Sequence, residues 1–184
     1  MTKQQRPKKC KSCGEKFIPS RPLQAICANY DCVVKHVNTV KAKREAREHR
    51  EAKLRVKSRP QWLREAQAAV NAYVRARDAH LGCVSCDKPP SWNGQWHASH
   101  FRSVGAASSI RFNLWNIHKA CSVCNNWLSG NLAEYEPRLR AKIGDEKVDW
   151  LRGQNFQRIY SIEYLQRLKK IFSKKAKKLI ARRR

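Results

Sequence analysis

Eight cysteines in this chain of 184 residues fall into two quartets of paired spacing, and nothing else in it restricts the fold as much. Cys10-x2-Cys13 is followed by a turn-rich spacer of 13 residues and then Cys27-x4-Cys32. Cys83-x2-Cys86 is answered further on by Cys121-x2-Cys124. No apolar stretch follows Met1-Thr2-Lys3, and no run approaches the length of a membrane span, so the reading predicts a cytoplasmic chain without signal peptide or membrane contact. In a reducing compartment such pairs are metal ligands rather than bridges. Four thiolates suit a tetrahedral Zn2+ closed to solvent, which makes both expected zinc sites structural.

The apolar residues between the quartets come in short runs separated by basic stretches, so one large core is excluded and small stapled modules are expected. The fold class is α+β. We expect a zinc ribbon over residues 1–36, a basic helix or linker over 37–59, an amphipathic helix with a second zinc-stapled segment over 60–131, and a helical, basic region over 132–184. In the ribbon, Gly14 suits the tight turn after Cys13, and His36 is an alternative to one of the cysteines. From Val33 to Arg59 there is no Pro or Gly and charge dominates; a helix there is either solvated or follows phosphates through Lys41, Arg44 and Arg47. Pro60 suits the first turn of the next helix, whose stripe of Trp62, Ala66, Ala69, Val70, Tyr73, Val74, Arg77 and Leu81 reads as core. Leu132, Tyr135, Leu139 and Ile143 predict a helix ended by Gly144, and Ser161 caps a last helix carrying Ile162, Leu165, Leu168, Ile171 and Phe172. That helix runs into Lys174, Lys175, Lys177, Lys178 and the arginines 182–184.

The formal net charge is +26. Two zinc-thiolate centres lower it only to about +22. An excess of that size points to a polyanion, with nucleic acid the commonest, and leaves the substrate unnamed.

Within the second quartet lie His97-x2-His100, Asn116, and Asn125 directly after the last cysteine. Imidazoles and a carboxamide are hard or borderline ligands that suit an open site for Mg2+ or a transition metal. Residues 95–101 can form one strand of a hairpin, 103–109 its loop and 110–115 the return strand, with a helix starting near Cys124. Trp92, Trp96, Trp115 and Trp127 surround this segment, where packing over zinc is the first expectation and base stacking the second.

These residues resemble the HNH, or ββα-metal, endonucleases, in the subgroup stapled by two C-x2-C pairs, and look most like the lambda-type phage NinG (Rap) recombination proteins. The resemblance lies in Ala98-Ser-His100-Phe-Arg102-Ser-Val-Gly-Ala106, Arg111-Phe-Asn113, Asn116-Ile-His118 and Cys121-x2-Cys124-Asn-x2-Leu-Ser-Gly-Asn131. It implies His100 as general base, Asn125 as ligand of a catalytic Mg2+ or Mn2+, and Asn116 as the asparagine that organises the loop. Phage recombination endonuclease VII is similar in this core only; His97 falls where that enzyme has Asp, and imidazole prefers metals softer than Mg2+. Ser99 stands where other members carry Asp or His. Arg102, Arg111 and Lys119 would touch DNA, the arginines alternatively being solvated, and His118 reads as a supporting partner rather than a catalyst. The family implies a homodimer that cuts branched DNA such as Holliday junctions or D-loops. A zinc-ribbon adaptor or recombination mediator that binds nucleic acid without cutting is the alternative.

Overall fold

The structure, a computed structural model, describes residues 6–183. The first five residues of the expected ribbon and Arg184 of the basic tail lie outside that range. The chain divides into two compact units, Met1–Lys57 and Ser58–Arg184. The expected ribbon and basic helix thus form one unit, and the remaining segments another.

In the first unit β1 (Lys8–Lys9) pairs antiparallel with β2 (Lys16–Phe17). The connection carries Cys10 and Cys13 and closes at Gly14, whose φ of +79° is accessible to glycine and whose N–H donates to the Cys10 carbonyl at 2.9 Å. Helix α1 (Tyr30–Arg55) begins earlier than Val33 because Asn29 Oδ1 accepts from the N–H groups of Asp31 and Cys32. That cap draws Cys32 into the first helical turn. Cys32 is also the one buried residue of α1. With no apolar face to pack, the helix depends on propensity and on pairs such as Arg44–Glu48 and Arg47–Glu51. Exposed pairs of this kind contribute about 0.3–0.5 kcal/mol each.

The second unit opens with α2 (Arg59–Arg77), started by a capping box in which Ser58 and Gln61 satisfy each other's backbone and by Pro60 in the first turn. Its predicted stripe is buried at Trp62, Ala66, Ala69, Val70 and Val74, while Leu81 lies beyond its end. The stripe packs on α5 (Ile162–Ala181), where Leu165 and Phe172 are buried and Ser161 Oγ accepts from Tyr164 N–H. Between them the chain forms the hairpin of β3 (Trp96–His100) and β4 (Ile117–Cys121), with Trp96 opposite Cys121 and His100 opposite Ile117. One side of the hairpin, through Ala98 and Ile117, joins the α2–α5 core; Ala120 and Cys121 join a second core with Tyr135 and Leu139 of α3 (Leu132–Ile143) and Val148 and Leu151 of α4 (Asp145–Arg152). Gly144, at φ +91° and ψ 154°, separates α3 from α4 in a region that side chains rarely adopt.

Two expectations fail here. Residues 110–115 are not the return strand: a 3-10 turn (Ser108–Ile110) leads into further turns, and the strand comes later, at β4. Ile110 and Phe112 alternate as in a strand, but each is buried in a different core, and Asn113 Oδ1 takes the Trp115 N–H at 2.8 Å, which holds a turn. The helix expected near Cys124 is a single π-helical turn, Val123–Trp127. The short helix α4 was not foreseen. Among the described residues no helix is long and apolar enough to cross a membrane.

Candidate functional site

Each quartet closes into a tetrad. The four sulfurs of Cys10, Cys13, Cys27 and Cys32 lie within 4.8 Å of one another, as do those of Cys83, Cys86, Cys121 and Cys124. His36 is in neither group. Backbone N–H groups point at the sulfurs: Ser12 and Cys27 at Cys10, Ser85 and Cys121 at Cys83, and Cys124 at Cys121, between 3.2 and 3.4 Å. Such donors favour thiolate over thiol: N–H bonds from Cys13 and Cys27 hold Cys10 down to about 6, whereas burial outweighs them at Cys83 and pushes its thiol up. A tetrahedral thiolate set with outer N–H support fits zinc. Trp92 and Trp96 meet edge to face at 5.1 Å and pack on the core around the second tetrad.

His97 leaves β3 beside the π turn, where its Nδ1 lies 3.1 Å from Asn125 Nδ2. An amide turned by half a revolution presents its oxygen to the same spot, so the two side chains form an adjacent pair of neutral donors. Among the described residues no carboxylate or thiolate joins them in a group of three. This donor set fits a divalent ion of borderline softness such as Mn2+ better than Mg2+, with further oxygen ligands required from outside the protein. Ser99, on the same face of β3 by strand alternation, is 2% exposed, and its carbonyl accepts from Tyr135 Oη at 3.1 Å.

His100 occupies the opposite face. Its Nε2 lies 2.9 Å from the Arg111 carbonyl oxygen. A carbonyl only accepts, so Nε2 carries the proton and Nδ1 is left as the acceptor in the neutral ring. Burial pushes the imidazole below its usual 6.5, and the nearby Arg111 guanidinium adds to the effect. The tautomer is set by the loop, and the loop by Asn116. Fully buried, Asn116 accepts from Arg102 N–H at 2.7 Å and donates to the carbonyls of Arg102 and Ile110. His100 borders a cleft of about 260 Å3 shared with Arg102, Ser129, Glu136 and Arg152. His97 and Asn125 do not line it, so the expected trio is brought together as a pair and a separate histidine.

The basic residues divide. Lys119, expected at DNA, is 3% exposed; its ammonium donates to the Ala79 carbonyl and sits 4.0 Å over the Trp96 ring, so it contributes to the interior instead. Arg102 lines the cleft but spends Nη2 on Asn155, and among the described residues its buried Nε has no hydrogen-bond partner. Arg111 donates Nε to Gln67 of α2 at 2.8 Å. Lys41, Arg44 and Arg47 are exposed on α1. His118 is a structural group: Nε2 donates to the Trp115 carbonyl and Nδ1 receives Arg77, beside a buried Asp78 that also holds Lys142. Sequence reading missed Glu136 and Arg152 in the cleft: Glu136 lies on the polar side of the foreseen α3, and α4, which carries Arg152, has only eight residues.

The family described as "Bacteriophage Lambda NinG protein" matches residues 2–182. The chain belongs to the NinG family. Protein ninG of Escherichia phage lambda is 42% identical over 127 residues, 69% of this chain and 61% of that protein. Protein ninG of Escherichia phage 933W is 34% identical over 194 aligned positions, 94% of this chain and 93% of the relative. The Salmonella phage P22 protein is 40% identical over 127 residues, with 62% of its length covered. This chain therefore spans less than two thirds of the lambda and P22 relatives it matches. No solved structure matches the chain.

Proposed function

We propose that this protein is a metal-dependent endonuclease of the HNH type, hydrolysing phosphodiester bonds in branched DNA as a homodimer. The observation that carries this reading is the state of His100: a neutral imidazole, its proton held on Nε2 by a backbone carbonyl, with Nδ1 left to accept. In the proposed step Nδ1 takes a proton from water, the water oxygen bonds to phosphorus, and the bond from phosphorus to the 3′-oxygen breaks. A divalent ion at His97 and Asn125, which lie off the His100 cleft, would supply charge stabilisation to a phosphate that reaches both places. Asn116 positions the base by tying the chain after His100, at Arg102, to Ile110 beside its partner Arg111, and the zinc tetrad would hold Asn125 through Cys124. The branched substrate, and the two incisions that would call for a dimer, rest on the HNH and endonuclease VII resemblance.

The test is cleavage of a labelled four-way junction and a matched linear duplex with Mg2+ or Mn2+, for the wild type and His100→Ala. We expect the variant to lose on the order of 10²–10⁴-fold in rate. Equal cutting by both proteins removes His100 from the mechanism. Because the base works when neutral and its pKa is depressed below 6.5, the rate should fall on acidification with a midpoint below 6.5. A non-catalytic adaptor is the competing reading, favoured by α1, a solvent-facing basic helix with no apolar partner face. It predicts salt-sensitive binding and no nicking with any divalent ion.

A further inference from the structure

In the first unit, a groove of about 570 Å3 runs between the cysteine-bearing loops and α1. We propose that this groove binds the DNA phosphodiester backbone. It rests on the DNA part of the proposed function and not on cleavage.

Three lysines give the groove its charge: Lys11 from the first cysteine loop, and Lys35 and Lys43 from α1. No carboxylate lines it. Among the described residues none of these three lysines forms an ion pair, whereas Arg44 and Arg47 on the same helix are taken up by Glu48 and Glu51. Other cations of α1, such as Lys41, Arg50 and Arg55, lie outside the groove; Lys35 and Lys43 are set apart by facing Lys11 across it. Lys35 and Lys43 stand two helical turns apart, about 12 Å along the axis. That span covers roughly three phosphates of a strand with one charge per 3.4 Å.

The groove also has a fixed shape. Lys11 N–H donates to the Ala25 carbonyl at 2.9 Å, which ties the two cysteine loops together under the groove. Cys32 anchors the first turn of α1 to the same tetrad. Zinc binding by the tetrad would thus set the distance between Lys11 and the α1 lysines before any ligand arrives, which limits the ordering cost on binding. The floor is narrow and apolar, from Ile26 and Val40, and would suit the sugar edge of a backbone. The charge of the lining comes from lysines, which meet phosphate oxygens, so this contact would be indifferent to sequence.

The experiment compares wild type, Lys35→Ala/Lys43→Ala, and Arg55→Ala, which removes a charge of α1 that does not line the groove. Fluorescence anisotropy with a labelled duplex is followed across salt, without added divalent ions, so that cleavage plays no part. Zinc stoichiometry and far-ultraviolet dichroism check that each variant is folded. The double variant should reduce the slope of log K against log salt by about 1.8 and weaken binding roughly 10- to 100-fold at 0.1 M salt, while Arg55→Ala changes little. If wild type binds DNA and the double variant keeps its slope, the groove proposal is overturned while the nuclease reading stands. An equal loss per charge in Arg55→Ala also overturns it, since the groove then has no special role. Tighter groove-dependent binding of polyglutamate than of duplex would replace DNA with an acidic protein partner. Absence of wild-type DNA binding would remove the DNA reading itself.

Discussion

Asn116 and His118 lie two residues apart, and their surroundings explain why one organises a candidate site and the other does not. Asn116 bridges the strand leaving His100 and the turn after Ile110, using both ends of its amide. Asn116→Ala should cost about 1–3 kcal/mol in urea unfolding, because the N–H and carbonyl of Arg102 lose their buried partner, and should slow cleavage by releasing the His100 strand. His118 is buried among cations, and burial, with Lys142 and Arg77 adding to it, lowers it to about 4. A histidine whose folded pKa lies below the unfolded value near 6.5 contributes stability above pH 6.5 and loses it as pH falls towards 4. The sum of that loss is on the order of 3 kcal/mol. His118→Asn keeps a donor and an acceptor but does not titrate, so its unfolding midpoint should fall less steeply than wild type between pH 6.5 and 4. Any acid release of zinc is common to both proteins. A parallel fall in the two would exclude His118 as the source.

Among the elements, those whose patterns are locally complete were legible. Helix α3 runs from Leu132 to Ile143 as the spacing and Gly144 predict, and α5 starts at its Ser161 cap. Ser161→Ala should lower stability by about 1 kcal/mol, read from a shift in thermal midpoint, because Tyr164 N–H loses its acceptor. Leu165→Ala, which opens a hole between α2 and α5, should cost 2–5 kcal/mol, on the order of the largest single core losses. The segment 110–115 was misread for an identifiable reason. Its apolar residues alternate, yet they serve two different cores, and no local signal separates that from one strand face. Helix α4 and its Arg152 were missed because eight residues offer barely two turns of periodicity.

At the scale of the whole molecule, each unit has its own tetrad, so the two should fail separately. Cys121→Ser should drop zinc from two ions to one per chain and abolish the cooperative melting of the second unit, with cleavage lost. Cys27→Ser should also leave one zinc but spare the fold of residues 58–184. If Cys121→Ser retained its melting profile and full zinc content, the second tetrad would not be the staple of its unit. The strongly positive charge survives either change, so loss of DNA binding in one variant would report on shape rather than on net charge.

Cysteine spacing alone implied both tetrads, since ligand pairs two to four residues apart are local and carry their geometry with them. Helical stripes and caps were legible for the same reason. Three features depended on long-range packing. The neutral, Nε2-protonated state of His100 needs a carbonyl eleven residues away in a turn that only the two cores fold. The burial of Lys119, a charge expected on the surface, follows from Asp78 and Trp96 closing around it. The cleft beside His100 needs α3 and α4 to bring Glu136 and Arg152 across from the hairpin, and no spacing within one segment encodes that approach.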